Sequence, residues 1–346
     1  MKKFLIVITV IILGIHSSSQ NIITPFEKSI GMQTATYHEC IKYYTMLDKL
    51  SNNINIKNFD TTDAGYPLQL VMYCSDNKFN PVEWHKQHKI IILINNGIHP
   101  GEPDGIDASM MLLRDIATHK IKIQENVVLA IIPVYNIGGC LNRNSFSRVN
   151  QIGPESYGFR GNAQNLDLNR DFIKADSKDA KAFEKIFQSV NPDIFIDNHV
   201  SDGADYQHTM TLLTTQYNKL EGQIAEFLHN VFEPALYKGM EEKNWPMCPY
   251  VDFEEVSPDK GWIAFYDPPR YSSGYAALFQ TIAFILETHM LKPFADRVNG
   301  TYAFMQTVIE KASMYANDII NKRNASIEAI KQQQIFPLSW RADTTQ

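Results

Sequence analysis

The sequence predicts an α/β fold: a doubly wound, mixed and largely parallel sheet with helices on both faces. Three observations predict it. Short apolar runs alternate with segments of helical periodicity along most of the chain. A chain of 346 residues with 44% hydrophobic content can bury one large core. No internal repeat or low-complexity tract breaks the alternation. Strands that alternate with helices need crossover connections, which favour parallel pairing and cover both faces of the sheet.

At the amino terminus, Lys2-Lys3 precede the apolar run Phe4–Ile15 and the small polar residues Ser17-Ser18-Ser19-Gln20. This is the pattern of a cleavable signal peptide over residues 1–20, its apolar core too short for a stable membrane span. It predicts a secreted or periplasmic protein with no membrane span after cleavage. Residues 21–334 then read as one domain. The tail 335–346, in which Phe336–Trp340 looks like the start of a strand, reads as the possible beginning of another.

Within the domain, residues 21–60 are polar and mixed, with a helical pattern at Cys40–Leu50. Leu68–Cys74 predicts a strand and Lys78–His88 a connecting loop in which His85 and His88 face solvent. Ile90–Ile94 is a strongly apolar strand. It runs into Asn95-Asn96-Gly97 and a Pro/Gly loop that carries His99 and Glu102, followed by a helix with Ile106, Met110, Leu113 and Ala117 on one face. Asp104 and Asp107 suit the start of that helix. Val127–Pro133 is the next strand, Val134–Gly161 a Gly/Asn/Arg-rich stretch, and Asp176–Val190 a helix. Asp193–Asp197 predicts a short strand ending at Asn198-His199, Thr209–Leu213 another, and Leu220–Phe232 an amphipathic helix. Residues 244–276 are too aromatic for a disordered linker and read as a long functional loop. Thr281–Leu286 is a buried strand that ends at Glu287, and Phe294 to about Gln334 is helical.

The formal net charge of −6 offers no basic surplus for nucleic acid. Cys40, Cys74, Cys140 and Cys248 are too scattered for a disulfide framework or a thiolate metal cluster, although one or two bridges remain compatible with them. Any metal must be held by histidine and carboxylate. His99 and Glu102 supply both ligand types three residues apart, but such a pair also occurs on ordinary solvated loops. His199 alone reads more readily as a core histidine than as a ligand, Arg170-Asp171 reads also as a loop ion pair, and Glu287 as a strand-end carboxylate. Their convergence is what carries weight. In doubly wound sheets ligands bind outside the carboxyl ends of the strands, and His99, His199 and Glu287 each follow a predicted strand.

In chain order these segments resemble the zinc carboxypeptidases of the M14 type. The matching pieces are His99-x-x-Glu102, the string Gly158-Phe-Arg160-Gly-Asn162-Ala-Gln-Asn-Leu-Asp167-Leu-Asn169-Arg170-Asp-Phe172, His199, and Leu286-Glu287. The string is most similar to the regulatory N/E-type branch; Asn198-His199-Val200 and Glu287-Thr-His289-Met290 depart from digestive enzymes and suggest a bacterial side branch. The resemblance implies a zinc-carboxypeptidase-like fold and one Zn2+ held by His99, Glu102 and His199, with Asp167 orienting His99. It implies that Glu287 is the base for water attack on the C-terminal peptide bond, that Arg160 stabilises the oxyanion, with Arg148 a competitor, and that Asn169 and Arg170 grip the terminal carboxylate. Tyr271, ahead of Tyr266 and Tyr275, is taken as the substrate-capping tyrosine. The implied partner is a peptide with a free C-terminal carboxylate. Two other expectations stay open: an amidohydrolase acting on muropeptides or N-acyl amino acids, and a non-catalytic peptide-binding relative.

Overall fold

The computed structural model describes residues 22–201, 203, 205–253, 258–337 and 341. The signal-peptide expectation over residues 1–20 falls outside them. Ten strands are present among the described residues: β1 (Ile54–Thr61), β2 (Pro67–Cys74), β3 (Ile90–Asn95), β4 (Val127–Ile132), β5 (Ile194–Ser201), β6 (Met210–Thr214), β7 (Met247–Pro249), β8 (Val251–Phe253), β9 (Trp262–Ala264) and β10 (Ile282–His289). Eight form one mixed sheet in the order β1-β2-β4-β3-β5-β10-β6-β7, and β8 and β9 pair as a small separate ribbon. The centre, β4-β3-β5-β10, is parallel; β1 and β2 pair antiparallel with each other and β2 with β4, while β6 is antiparallel to β10 and parallel to β7. The doubly wound, largely parallel reading therefore holds.

β3 is apolar from Ile90 to Ile94 because both its faces are covered. Ile90, Ile92 and Ile94 pack on one side with residues such as Leu112, Phe304 and Val308, from the helices Asp104–Ala117 and Phe294–Met314. Ile91 and Leu93 pack on the other with Phe183 and Phe187 of the helix Lys178–Val190. From β3 the chain moves outward to β4 on one side and later returns to β5 on the other. The gap between the carboxyl ends of β3 and β5 is thus a topological switch point, the place where such sheets bind ligands.

Several elements differ from expectation, each for a local reason. Lys78–His88 contains a helix, Pro81–Lys86, because Trp84 is buried and donates its indole N–H to the Lys78 carbonyl at 2.5 Å. His85 is accordingly half-buried, 3.3 Å from the Val190 carbonyl, rather than solvent-exposed. Residues 21–60 include the edge strand β1, whose polar residues hid it. The segment starting near Leu220 continues through Phe232 into a further helix, Glu233–Glu242. The long loop 244–276 carries β7, β8, β9 and a short helix, Ser272–Ala277. β5 and β10 run past the predicted ends, so His199 and Glu287 lie within strands rather than after them. Phe336 and Pro337 are not in a strand, and the rest of that predicted strand, 338–340, lies outside the described residues. All four cysteines are free.

Candidate metal centre and its cleft

The loop after β3 is set by its backbone. Gly97 takes φ +64°, a left-handed conformation that glycine adopts without strain, and Glu102 N–H closes a turn on the His99 carbonyl at 2.8 Å. A Cβ on Gly101 would lie 2.9 Å from Cδ of Arg148, so the loop passes directly over that side chain. Both His99 and Glu102 are buried as a result.

His199 reaches the same point from β5. One oxygen, one nitrogen and one nitrogen from Glu102, His99 and His199 lie within 4.8 Å of one another, all three residues buried. Glu102 sits between the imidazoles, its Oε1 3.1 Å from His99 Nδ1 and its Oε2 3.1 Å from His199 Nδ1. The opposite ring nitrogens are held by carboxylates: His99 Nε2 lies 2.9 Å from Asp167 Oδ1 and His199 Nε2 3.0 Å from Asp197 Oδ2. With Nε2–H donated to those carboxylates, each neutral ring presents its Nδ1 lone pair to a carboxylate oxygen. Two acceptors facing at that distance require a proton or a metal cation between them. The donor set of two imidazoles and one carboxylate fits a metal, each histidine having the outer carboxylate partner that such ligands keep.

The electrostatics agree with a site built to hold positive charge. Burial would raise the Glu102 carboxyl, but His99, Arg148 and His199 together hold it well below the usual range. Burial would lower the His199 imidazole, but Asp197 and Glu102 push it well above its usual value. At Asp167 burial is likewise outweighed, by His99 and Arg160, and the carboxyl is held low.

The arginine-containing string forms a compact turn. Asn162 Oδ1 accepts from the N–H groups of Gln164 and Leu166, both at 2.9 Å, and Asp167 caps the single turn Leu168–Arg170 by accepting from Asn169 N–H at 2.9 Å. The Asp167 oxygen that caps this turn is the one that meets His99. Its other oxygen accepts from Arg160 Nε at 3.1 Å and Nη2 at 2.9 Å, which leaves Arg160 Nη1 3.3 Å from His99 Nδ1. Arg148 takes a different place. It donates to Glu102 Oε1 at 2.8 Å, to the Val200 carbonyl at 2.8 Å and to Gln151 at 2.6 Å, with only 12% of its side chain exposed. Arg160, at 46%, is the arginine with donors left for a bound molecule.

On β10, Glu287 pairs in parallel register with His199, so both side chains project from the same face. Burial raises its carboxyl to about 8, with His199 opposing and Glu102 adding to the rise. Together these residues line a cleft of about 710 Å³ empty volume that also includes Asn169, Arg170, Ser201, Leu213, Tyr250, Phe265, Tyr271 and Ile285. The Arg170 guanidinium lies over the Tyr271 ring at 4.6 Å. Tyr266 instead lies against Lys219, and Tyr275 is buried in the aromatic core beneath the helix Lys178–Val190. Every site residue expected from the sequence therefore lies in the cleft or, for Asp167, directly behind it. Asp197 was missed. Its signal was present, since on a strand the residue two before His199 shares its face.

No protein-family model matches the chain. Carboxypeptidase 2 of Trichophyton equinum is 28% identical over 268 residues, 72% of this chain and 47% of that protein. Carboxypeptidase 2 of Trichophyton rubrum is 24% identical over 202 residues, 55% of this chain and 34% of that protein. The chain thus spans about half or less of the length of these curated relatives. Among solved structures, a metallo-carboxypeptidase from Burkholderia cenocepacia superposes with TM-score 0.59 at 14% identity, covering 81% of this chain and 70% of that one. Carboxypeptidase A from Helicoverpa armigera gives 0.59 at 12% identity, covering 85% and 74%. The chain is thus similar in sequence to these carboxypeptidases and has the fold of the metallo-carboxypeptidases.

Proposed function

We propose that this protein is a secreted, zinc-dependent metallocarboxypeptidase that hydrolyses the C-terminal peptide bond of peptides. The observation that carries the reading is the set His99, Glu102 and His199, with both histidines backed by carboxylates and with Glu287 beside His199 on the neighbouring strand. These three residues would hold a zinc ion, which when bound would supply Lewis acidity and a more acidic water. With a cation in the cluster to offset the burial that raises its pKa, Glu287 is the carboxylate that accepts the proton of the attacking water and delivers it to the departing amine. Arg160 donates to the carbonyl oxygen as negative charge develops on it, and Asp167 holds both Arg160 and His99 in place. Arg170 and Asn169 bind the terminal carboxylate, and Tyr271 packs against the Arg170 guanidinium where it caps the bound end.

The terminal side chain meets an apolar wall of Leu213, Phe265 and Ile285. Among the described lining residues the only carboxylates are Glu102 and Glu287, both engaged in the chemistry. A neutral apolar terminal residue is therefore the one this wall fits best. Secretion rests on the Lys2-Lys3 and Phe4–Ile15 pattern.

The test is metal analysis of the purified protein followed by digestion of a peptide library that varies the last residue and includes peptidoglycan stem peptides. One zinc per chain, release of single C-terminal leucine or phenylalanine, and loss of turnover in Glu287→Gln support the reading. Absence of stoichiometric metal, or turnover that survives Glu287→Gln, refutes it. Binding without cleavage by the wild type makes the protein a non-catalytic peptide binder.

A further inference from the structure

β5 and β10 carry a second same-face pair one rung beyond the first. His199 is beside Glu287, and Ser201 is beside His289. Ser201 lines the same cleft as the metal cluster, and its Oγ lies 2.6 Å from His289 Nδ1. His289 is fixed on every side. It is 1% exposed, its ring stacks on Tyr206 with centroids 3.9 Å apart and planes at 12°, and its backbone N–H donates to the Thr209 carbonyl at 3.0 Å. Met290 N–H in turn holds the Ser201 carbonyl at 3.2 Å.

Among the described residues His289 Nε2 is buried without a hydrogen-bond partner, and this points to the tautomer. A proton on Nε2 would leave a buried donor orphaned, which is rarer and costlier than an acceptor left bare. The proton therefore sits on Nδ1 and is donated to Ser201 Oγ. The groups facing the ring are Lys292 and His208, which disfavour a second proton, Asp205, which favours one, and the stacked Tyr206. Burial with Lys292 wins, lowering the imidazole to about 4 and leaving it neutral at pH 7. With its oxygen accepting from His289, the Ser201 hydroxyl has its hydrogen free to donate into the cleft.

We propose that Ser201, oriented by His289, is a substrate-binding residue that donates a hydrogen bond to a backbone carbonyl on the amino side of the scissile bond. This rests on the peptidase reading for the identity of the substrate. The side follows from the neighbours. Past Ser201 the adjoining cleft is lined by His99, Arg148, Arg160, Gly203 and Met290 and by none of Asn169, Arg170 or Tyr271, the residues assigned to the carboxyl end. The distance follows from strand geometry. Two residues beyond His199 is roughly 7 Å, about two residues of an extended peptide, so the acceptor is a carbonyl that acetyl-Ala-Leu lacks. His289 is a positioning residue, acting through Ser201.

The experiment measures dissociation constants of acetyl-Ala-Leu, acetyl-Ala-Ala-Leu and acetyl-Ala-Ala-Ala-Leu on zinc-loaded Glu287→Gln protein, with and without Ser201→Ala. The Glu287→Gln background keeps the peptides intact. Ser201→Ala is expected to leave the shortest peptide unaffected and to weaken the longer ones by roughly three- to tenfold, the worth of one neutral hydrogen bond. His289→Phe keeps an aromatic ring for Tyr206, and is expected to reproduce the length-dependent loss without altering zinc affinity. Combining it with Ser201→Ala should add nothing further. A loss equal at all lengths, or none at any, overturns the proposal. If the wild type cleaves no peptide while the length-dependent loss is present, the peptidase reading fails and the Ser201 assignment stands. If no peptide binds, both fall.

Discussion

Replacing Asp197 with asparagine tests whether the metal centre depends on charge held behind its ligands. Asp197 is fully buried, 3.0 Å from His199 Nε2, and its other oxygen accepts from Asn95 Nδ2 at 2.9 Å. The substituted amide keeps the volume and can still accept from His199 through its oxygen. Its new NH2 then faces the Asn95 NH2, but Asn95 Oδ1 is buried and unpartnered, so a flip of the Asn95 amide restores the contact. The fold is therefore expected to survive, and the variant removes only the negative charge that makes His199 a better ligand. Loss of such a partner typically costs 10- to 100-fold in metal affinity, about 1.4–2.8 kcal/mol. Competition with a chromophoric chelator measures the zinc dissociation constant, and thermal melting of the metal-free form checks the fold. An intact fold with zinc affinity within twofold of wild type would refute the argument. Asp167→Asn should also release Arg160, so it is expected to lower kcat as well as metal affinity.

The two arginines separate by assay. Arg160→Ala is expected to lower kcat by about 10²–10³ with little change in melting temperature, because half of its side chain is exposed. Arg148→Ala strips a buried donor from Glu102 and the Val200 carbonyl and should lower both the melting temperature and zinc affinity; the reverse pattern would exchange their roles. Arg297, fully buried, donates to Asp104 at 3.0 Å and to the carbonyls of Ile152, Gly153, Met290 and Lys292. Arg297→Ala is expected to cost about 3–5 kcal/mol in denaturant unfolding, as when one partner of a buried pair is removed. Burial, with Asp104 adding to it, raises the Asp107 carboxyl from 3.8 to about 7. The folded state thus binds the extra proton, and stability should fall as pH rises between about 4 and 7. Asp107→Asn should flatten that part of the stability curve, and an unchanged slope would show that Asp107 is not its source.

The sequence was sufficient wherever a local pattern has one structural outcome. The apolar run of β3 had to be a central strand covered on both faces, and strands alternating with helices had to wind a sheet with a switch point. The order of His99, Glu102, the arginine string, His199 and Glu287 carried the candidate site, since each piece is local and His99, His199 and Glu287 fall at or near the carboxyl ends of strands. Edges were less legible. Polar β1 does not alternate cleanly, and β5 and β10 extend into residues too polar to read as strand, because a ligand-binding edge buries polar groups that elsewhere mark a loop.

Only the tertiary structure decided matters of register and partnership. Two histidines in the sequence do not reveal which ring nitrogen faces Glu102; that depends on Asp167 and Asp197 taking the other. Arg148 and Arg160 are chemically identical in the sequence, and they differ because one is walled in beside Val200 while the other, held by Asp167 and close to His99, keeps about half of its side chain open. Tyr271 was separated from Tyr266 and Tyr275 by where the helix Ser272–Ala277 begins. Ser201 and His289, separated by 88 positions, meet because β5 and β10 pair in parallel at one register. Sequence fixes which groups exist and on which side of a strand they lie; the pairing of distant strands sets the distances, and distance is what turns those groups into a site.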